Sequence, residues 1–391
     1  MDEKHLVLYR KYRPKSFDEV VGQNHVVSAV RNAIKQGKTA HAYLFSGPRG
    51  SGKTTMARIF AKAVNCERSE AGRRLVPGES KSGSSSTKAS ADTAKPCNTC
   101  DSCLEITAGK SMDLIEIDAA SHTGVDDVRE LIEGIKFAPV KSKYKIFIID
   151  ECHQLSKSAA NALLKTLEEP PNHAIFILAT TETQKMIPTI ISRCQRFDFK
   201  RLHVPEIIKK LEFVAKKEQV TFEPSGLSLI ALNARGSFRD AESLLDKCIS
   251  FSGGDKLVTT QEIKELLGIV EVSQISQFVD FLLTKDTKGA LVFLNTLVDG
   301  GVDLQEFAKT LIFYVRQSLL LKINPELISM EVSGLSKEEI ERMKEQTEKL
   351  QEKEIQKMLE LFIDAENKMK YATILQLPLE LAVVDITYKE T

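Results

Sequence analysis

Residues 47–54 have the residue types and the spacing that bind phosphate groups. They read Gly-Pro-Arg-Gly-Ser-Gly-Lys-Thr and fit the pattern G-x-x-x-x-G-K-[ST] at every position. Glycines let several backbone N–H groups converge on one anion, Lys53 can reach the β- and γ-phosphates, and the Thr54 hydroxyl can ligate Mg²⁺. The stretch predicts the binding of a nucleoside triphosphate. The residues expected to hold the phosphates are Gly47, Pro48, Arg49, Gly50, Ser51, Gly52, Lys53, Thr54 and Thr55.

A second candidate site is an acidic pair, Asp150 and Glu151, at the end of an apolar run at 144–149. If this run is a buried parallel strand, it carries both acids to the sheet edge where a phosphate loop lies. Asp150 can then hold the water shell of Mg²⁺, and Glu151 can accept a proton from the attacking water or orient it. Read alone, such a run is equally typical of a structural strand. The phosphate loop favours the catalytic interpretation.

Four cysteines form a candidate metal site. Cys97, Cys100 and Cys103 have C-x-x-C-x-x-C spacing, and Cys66 can supply a fourth sulfur, although 30 residues separate it from Cys97. Four thiolates are a natural ligand set for tetrahedral Zn²⁺. An iron–sulfur cluster and free or redox-active thiols are the alternatives. Between these cysteines, residues 78–95 are mainly Ser, Gly, Lys, Ala and Thr, which predicts a mobile loop.

The elements around these residues predict an α/β domain with a parallel sheet. Apolar runs of strand length at 42–45, 113–118, 174–179 and 195–199 alternate with helical patterns such as 55–64, so the phosphate loop has the strand–loop–helix context it needs. Thr180 and Thr181, after the third of these runs, can sense a γ-phosphate or cap the next segment. Residues 9–14 are too irregular for a helix, and form an arm that wraps a purine or packs on the core.

The rest of the chain reads as helical. Strand signals stop after about residue 202, residues 205–267 read as a small helical domain, and further amphipathic helices follow from about residue 269. The length of 391 residues predicts two or three domains. A nucleic-acid surface would have to be a local basic patch, because 54 basic and 54 acidic residues give no net charge.

Composition also bears on location. Residues 1–11 carry charges throughout and lack the apolar core of a signal peptide, and no apolar run approaches the roughly 18–20 residues that span a bilayer. Seven cysteines, an odd number, argue against a disulfide framework. We therefore expect a soluble intracellular protein that does not bind membranes.

Six motifs in one order identify a resemblance. The sequence resembles the gamma/tau subunit family of bacterial DNA polymerase III clamp loaders, which are AAA+ ATPases, most closely over residues 6–267 and more loosely from there to residue 391. The six motifs are Tyr9-Arg10-Lys11-Tyr12-Arg13-Pro14, the phosphate loop, the three-cysteine motif, Asp150-Glu151-Cys152-His153, Ser192-Arg193-Cys194 and Ser237-Phe238-Arg239-Asp240.

The resemblance implies further residue roles. Arg193 would be an arginine finger that reaches the nucleotide of a neighbouring subunit, Arg239 would contact phosphate in its own subunit, and Thr181 would report the γ-phosphate. The residues implied near the adenine are Arg13, Pro14 and Val21, and the implied zinc ligands are Cys66, Cys97, Cys100 and Cys103. In the family the first zinc cysteine lies closer to the other three, so the loop at 78–95 departs from the pattern. The implied cofactors are ATP, Mg²⁺ and Zn²⁺.

The resemblance also implies an architecture. Residues 1–203 would form an α/β AAA+ P-loop domain with a parallel sheet, and its zinc module would lie at about 66–103 and contain the flexible loop 78–95. Residues 204–267 would form a helical lid domain. Residues 268–391 would form an all-α collar domain through which the subunits assemble.

The implied function is to load a sliding clamp onto primed DNA during replication, driven by ATP binding and hydrolysis. The implied partners are other clamp-loader subunits, in a hetero-pentameric ring with several copies of this chain, together with the clamp and primed DNA. The implied location is the cytoplasm, in association with the nucleoid. Two alternatives stay open: a nucleotide-binding structural subunit that does not hydrolyse ATP, and another AAA+ DNA-remodelling machine such as a helicase loader or branch-migration motor.

Overall fold

The computed structural model describes residues 6–69, 94–121, 124–251, 257–268, 271–324 and 336–388. The chain divides into two compact units, Met1–Thr260 and Gln261–Thr391. The predicted loop at 78–95 lies outside the described residues up to residue 93, so its mobility stays a prediction, as do the exact domain boundaries. In the parts of the chain that are described, no helix is both long enough and apolar enough to cross a membrane.

The first unit is built on a parallel five-stranded sheet, as the α/β prediction requires. The strands lie in the order β2-β3-β4-β1-β5, and every pair is parallel. Because β1 and β4 are buried along their whole length, they appear in the sequence as continuous apolar runs. The strands are β1 (Ala42–Ser46), β2 (Leu114–Asp118), β3 (Lys145–Asp150), β4 (Ala174–Thr180) and β5 (Gln195–Asp198).

Helices cover both faces of this sheet. On one face, α2 and α3 bury a core that includes Val30, Ile59 and Phe60 against Tyr43 and Phe45 of β1. On the other face, α5 and α6 pack against β3 and β4 through a second apolar cluster. The helices up to the end of the sheet are α1 (Leu8–Lys11), α2 (Asn24–Lys35), α3 (Lys53–Asn65), α4 (Asp101–Ala108), α5 (Val125–Ile135), α6 (Lys157–Glu168) and α7 (Pro188–Ile191).

A helical subdomain completes the first unit, and it corrects two expectations. α8 packs against α9 and α10, and two strands of two residues each, β6 (Thr221–Phe222) and β7 (Leu257–Val258), pair beside them. Such short strands carry no periodic signal, so the expectation of no strands after residue 202 is wrong here. The arm at 9–14 was expected to contain no helix, but its first three residues lie in α1. A contact with α10 holds this helix in place: the Leu8 N–H donates to Asp246 at 3.3 Å. The further helices of the first unit are α8 (Val204–Lys217), α9 (Pro224–Asn233) and α10 (Phe238–Phe251).

The second unit is helical throughout its described residues, as expected. Its core is apolar, and a buried polar contact crosses it: the Tyr314 hydroxyl donates to Gln346 at 2.6 Å, and Gln346 donates to the Ser276 carbonyl at 2.8 Å. This contact links three of the helices. The helices of the second unit are α11 (Thr260–Leu267), which begins at the boundary, α12 (Val272–Leu283), α13 (Thr287–Asp299), α14 (Leu304–Ile323), α15 (Lys337–Glu348), α16 (Glu352–Met369) and α17 (Leu377–Thr387).

Candidate nucleotide site and cysteine cluster

The phosphate loop joins the end of β1 to the start of α3. Its backbone needs glycine at two positions, because Gly50 and Gly52 have φ angles of 72° and 99°, in the left-handed region. A Cβ on Gly50 would lie 1.9 Å from the Ser237 Oγ. The buried hydroxyl of Ser51 has no hydrogen-bond partner among the described residues. A loop that leaves a buried polar atom without a partner and precedes a helix N-terminus is suited to receive a phosphate group.

Lys53, the first residue of α3, lies folded against the loop. Its Nζ donates to the carbonyl oxygens of Gly47 at 2.8 Å and Pro48 at 3.0 Å. Burial lowers the pKa of Lys53, whereas the carboxylates of Glu151 and Asp150 act to raise it. The ammonium therefore lies between the loop and the acidic pair, which is the place where nucleotide phosphates would need a positive charge.

The two predicted magnesium ligands are in contact. Thr54 Oγ1 donates to Asp150 Oδ2 at 2.7 Å, because the end of β3 lies beside the N-terminal end of α3. A hydroxyl and a carboxylate at this separation present two oxygen donors to one hard cation, and these are the donors that Mg²⁺ prefers. The residues present thus fit Mg²⁺.

Glu151 has a strained backbone. Its φ of 46° and ψ of 42° are left-handed, a conformation that costs about 1–3 kcal/mol for residues with a side chain. Its carboxylate accepts hydrogen bonds from the Thr181 N–H at 3.2 Å and the Thr181 hydroxyl at 2.9 Å. Thr181 therefore contacts Glu151 directly, and the structure brings the end of β4 to the candidate general base.

The other end of the pocket is formed by the N-terminal arm and α10. Arg13, Pro14 and Val21, the residues implied near the adenine, line the same pocket as the phosphate loop, Asp150 and Glu151. Arg239 lines it as well, and its guanidinium carbon lies 5.0 Å from the centre of the Tyr9 ring. The structure thus brings these predicted nucleotide-site residues to one pocket, whereas Gly47, Pro48 and Thr181 are not among the residues that line it.

Charged residues that the sequence did not single out also line this pocket, among them Glu242 and Lys210. Glu242 of α10 is 5% exposed, and Lys210 of α8 lies 3.9 Å from it, donating to the Tyr12 carbonyl at 3.0 Å. Burial raises the pKa of Glu242 to about 7, although the charges of Lys210 and Arg13 act to lower it. The sequence could have placed Glu242 at this site, because Glu242 follows Arg239 by three residues and so lies on the same helix face.

The raised pKa of Glu242 predicts a pH-dependent stability. The buried carboxyl holds its proton more tightly in the folded chain than in the unfolded chain. Its contribution to the free energy of unfolding is therefore complete below its ordinary pKa of 4.5 and is lost as the pH rises through about 7. The loss is at most about 3 kcal/mol. Glu242→Gln removes this dependence. The free energy of unfolding is measured with urea for both proteins. The value for the variant minus the value for the wild type should be larger at pH 8 than at pH 5.

The exposed Glu212 on α8 provides the matched control. Glu212→Gln should follow the wild type at both pH values. If the difference in stability between Glu242→Gln and the wild type is the same at pH 5 and pH 8, the carboxyl does not titrate in this range.

Arg193 lies apart from the phosphate loop of its own chain. It lies two residues before β5, whose first residue, Gln195, pairs with Tyr43 of β1, four residues before Gly47. Strands rise by roughly 3.3 Å per residue, so the start of β5 lies about 13 Å from Gly47 along the sheet, and Arg193 comes before that start. Its guanidinium donates to the Thr189 carbonyl at 2.7 Å and pairs with Glu168.

The four predicted zinc ligands converge, including Cys66. Their sulfur atoms all lie within 4.8 Å of one another, and the Cys97 and Cys103 sulfurs are 4.0 Å apart. Tetrahedral zinc with bonds of about 2.3 Å requires sulfurs roughly 3.8 Å apart, so the cluster fits Zn²⁺. The hydrogen bond between Cys66 and Cys103 lowers the pKa of the Cys66 thiol to about 4 and raises that of Cys103.

The family models that match the chain all describe DNA polymerase III. Residues 22–203 match "DNA polymerase III, delta subunit", residues 206–254 match "DNA polymerase III clamp loader subunit, ATPase lid domain", and residues 258–391 match "DNA polymerase III subunits gamma and tau domain III". Together the matches cover the five-stranded sheet with its phosphate loop, most of the helical subdomain and the second unit.

Relatives agree with these matches. A gamma subunit of DNA polymerase III from Buchnera aphidicola is 33% identical over 380 residues, which cover 97% of this chain and 98% of that one. The chain belongs to the DNA polymerase III gamma/tau family. The tau subunits of Bacillus subtilis and Escherichia coli are 43% and 36% identical, over 97% of this chain and 62% and 54% of their own lengths. The chain thus spans little more than half the length of these tau relatives.

Solved structures of the Thermotoga maritima branch-migration motor RuvB are more distant. One is 18% identical, with a TM-score of 0.46 over 70% of this chain and 79% of the motor. The family models and the relatives confirm the resemblance stated from the motifs, and the observed topology confirms a parallel-sheet α/β domain followed by helical lid and C-terminal domains. The roles of individual site residues stay predictions.

Proposed function

We propose that this chain is an ATPase subunit of the DNA polymerase III clamp loader. The observation that carries the proposal is the contact between Thr54 and Asp150 beside Glu151, in a chain of the gamma/tau family. This arrangement supplies two donors for a cation and a carboxylate for the attacking water. Intact Lys53, Thr54, Asp150 and Glu151 argue against a subunit that only binds nucleotide.

Different residues at the site have different roles in hydrolysis. Lys53 and the N–H groups of the loop bind the phosphates, and Glu151 orients the attacking water and accepts its proton. Thr181 holds the Glu151 carboxylate in position through its two hydrogen bonds. Mg²⁺, held by Thr54 and Asp150, would neutralise the charge of the β- and γ-phosphates.

The site would be completed by a second subunit. Arg193 precedes β5, at the opposite end of that strand from its own phosphate loop, and this position favours a role at the nucleotide of a neighbour. Arg239 lines the nucleotide pocket of its own chain and would contact the phosphates of the nucleotide bound there. A site shared in this way makes the contact between subunits depend on the bound nucleotide, and hydrolysis would then change the geometry of the ring.

The proposed partners follow from the family. The subunits would assemble through residues 268–391 into a hetero-pentameric ring with several copies of this chain. The ring would open a sliding clamp in its ATP-bound state and release it on primed DNA after hydrolysis.

Reconstitution tests this function. Full-length chain, candidate loader subunits, sliding clamp and primed DNA are combined with ATP, and clamp loading is measured by retention of labelled clamp on circular DNA. We expect loading with ATP and none with Lys53→Ala chains, which lack a phosphate-facing charge. If assembled complexes hydrolyse ATP but load no clamp, the chain serves another AAA+ machine. If they load clamp equally well with Lys53→Ala, it is a structural subunit.

We also propose that the cysteine cluster holds structural Zn²⁺. Elemental analysis should find about one zinc per chain. Cys100→Ser should lower the zinc content and destabilise residues 66–103, since structural zinc can supply on the order of 10 kcal/mol of apparent binding energy. Cys248→Ser, a buried thiol of α10 outside the cluster, should retain its zinc. Iron in place of zinc, or a stable metal-free protein, would contradict the assignment.

A further inference from the structure

A basic groove lies beside the nucleotide pocket in the first unit. It has a volume of about 640 Å³ and is formed by the N-terminal arm, one side of α3 and the C-terminal end of α4. Seven basic side chains line it, and no aspartate or glutamate is among the described residues that do so. Only Arg13 and Arg239 of these seven also line the nucleotide pocket. The groove is thus a separate concentration of positive charge in a chain with no net charge.

Two of the seven charges are neutralised by acids outside the groove lining. Lys11 pairs with Glu218 at 2.7 Å, and Arg58 pairs with Glu116 at 2.7 Å. Lys62, by contrast, donates to two neutral acceptors, the Lys15 carbonyl and the Asn98 side chain, both at 2.8 Å. The positive charge of the groove therefore exceeds the negative charge of these neighbours.

The arginines of the groove are close enough to influence one another. Burial lowers the pKa of Arg13, and so do the positive charges of Arg58, Arg10 and Arg239, whereas Glu116 acts to raise it. Arg10 and Arg239 both lie against the Tyr9 ring, with guanidinium carbons 5.8 and 5.0 Å from its centre. Like charges held together in this way favour the binding of an anion.

We propose that this groove binds the sugar–phosphate backbone of a nucleic-acid strand. Guanidinium groups match the geometry of phosphate oxygens. Arg10 and Lys15 are exposed and lie outside the nucleotide pocket, and together with Arg13 and Arg239 they provide for several phosphates. Leu6, which is 44% exposed, also lines the groove and provides an apolar contact for a sugar. This binding rests on the proposed function, in which primed DNA is a partner, and deepens it by assigning a site for the strand that can be tested without ATP hydrolysis.

Fluorescence anisotropy with the full-length chain tests the proposal. Every protein carries Lys53→Ala, which weakens phosphate binding at residues 47–54, and the probe is a short fluorescent oligothymidylate. Arg10→Ala combined with Lys15→Ala, two exposed groove residues, should weaken binding at least about tenfold at low salt. The slope of log K against log salt should fall by about 1.4, which corresponds to two lost phosphate contacts on a single strand.

The control removes the same amount of charge elsewhere. Lys209→Ala combined with Lys216→Ala, both exposed on α8 and outside the groove, should bind the probe as the Lys53→Ala parent does. A separate groove variant, Arg58→Gln, should weaken binding in the same direction. Circular dichroism and melting of each variant establish that the fold is retained.

Three results would overturn the proposal. The first is no binding of the oligothymidylate by the parent at low salt. The second is an equal affinity of the groove and control variants. In the third, the groove variant loses affinity for inorganic tripolyphosphate but keeps its affinity for the oligothymidylate, which would assign the groove to a free polyphosphate.

Discussion

Glu151→Gln is expected to slow ATP hydrolysis by about 10²–10⁴-fold and to leave ATP binding nearly unchanged. A positioned general base contributes about this much to the rate, and glutamine has the same shape but cannot accept the proton. It can still accept the hydrogen bonds that Thr181 donates to Glu151. Steady-state hydrolysis in the assembled complex and nucleotide titration of the chain measure the two quantities.

Two variants sharpen this test. Thr181→Val should slow hydrolysis less than Glu151→Gln, because Thr181 orients the carboxylate and does not take the proton. Glu212→Gln, an exposed acid on α8, should hydrolyse ATP at the wild-type rate. Wild-type hydrolysis by Glu151→Gln would assign the general base to another group.

Arg193→Ala is expected to retain nucleotide affinity in the isolated chain and to lose hydrolysis stimulated by clamp and DNA in the assembly. An arginine supplied across an interface in small GTPases contributes about 10³–10⁵ in rate. We expect a smaller loss here, because hydrolysis in a ring is also gated by subunit rearrangement. The exposed Arg196, which pairs with Asp198 near Arg193, provides the control: Arg196→Ala should keep its activity.

Mixing two inactive variants shows whether Arg193 acts on a neighbour. Arg193→Ala chains are combined with Lys53→Ala chains, so that some interfaces pair an intact phosphate loop with an intact Arg193. Part of the activity should return at these interfaces. If mixed oligomers assemble and no activity returns, Arg193 serves its own chain or has no catalytic role, and the shared site is excluded.

The sequence by itself determined the local parts of the nucleotide site. The phosphate loop is contiguous, so its glycines, Lys53 and Thr54 could be recognised from spacing alone. The central strands could also be recognised, because β1, β3 and β4 are buried on both faces and appear as unbroken apolar runs. An apolar run that ends in Asp150 and Glu151 predicted which sheet edge would carry the acids.

Only the tertiary structure decided which distant segments meet. The runs do not encode their neighbours, so the order β2-β3-β4-β1-β5 could not be read from them. That order places Thr181 against Glu151, because β3 and β4 are neighbours. It also places β5 beside β1, and Arg193 is separated from the phosphate loop because it precedes β5, at the opposite end of that strand. The tertiary structure was also needed to show that Cys66 lies with the other three cysteines.

Two charged residues lie at the end of the nucleotide pocket that the N-terminal arm and α10 form, and the sequence did not predict their position. Glu242 and Lys210 belong to different helices, and each has the polarity of an ordinary surface residue in the sequence. Their burial in the nucleotide pocket follows from the packing of α8 and α10 with the N-terminal arm. Periodicity reports which face of one element is apolar. The surface that covers that face is selected by contacts between residues far apart in the chain, and these form only when the whole unit packs.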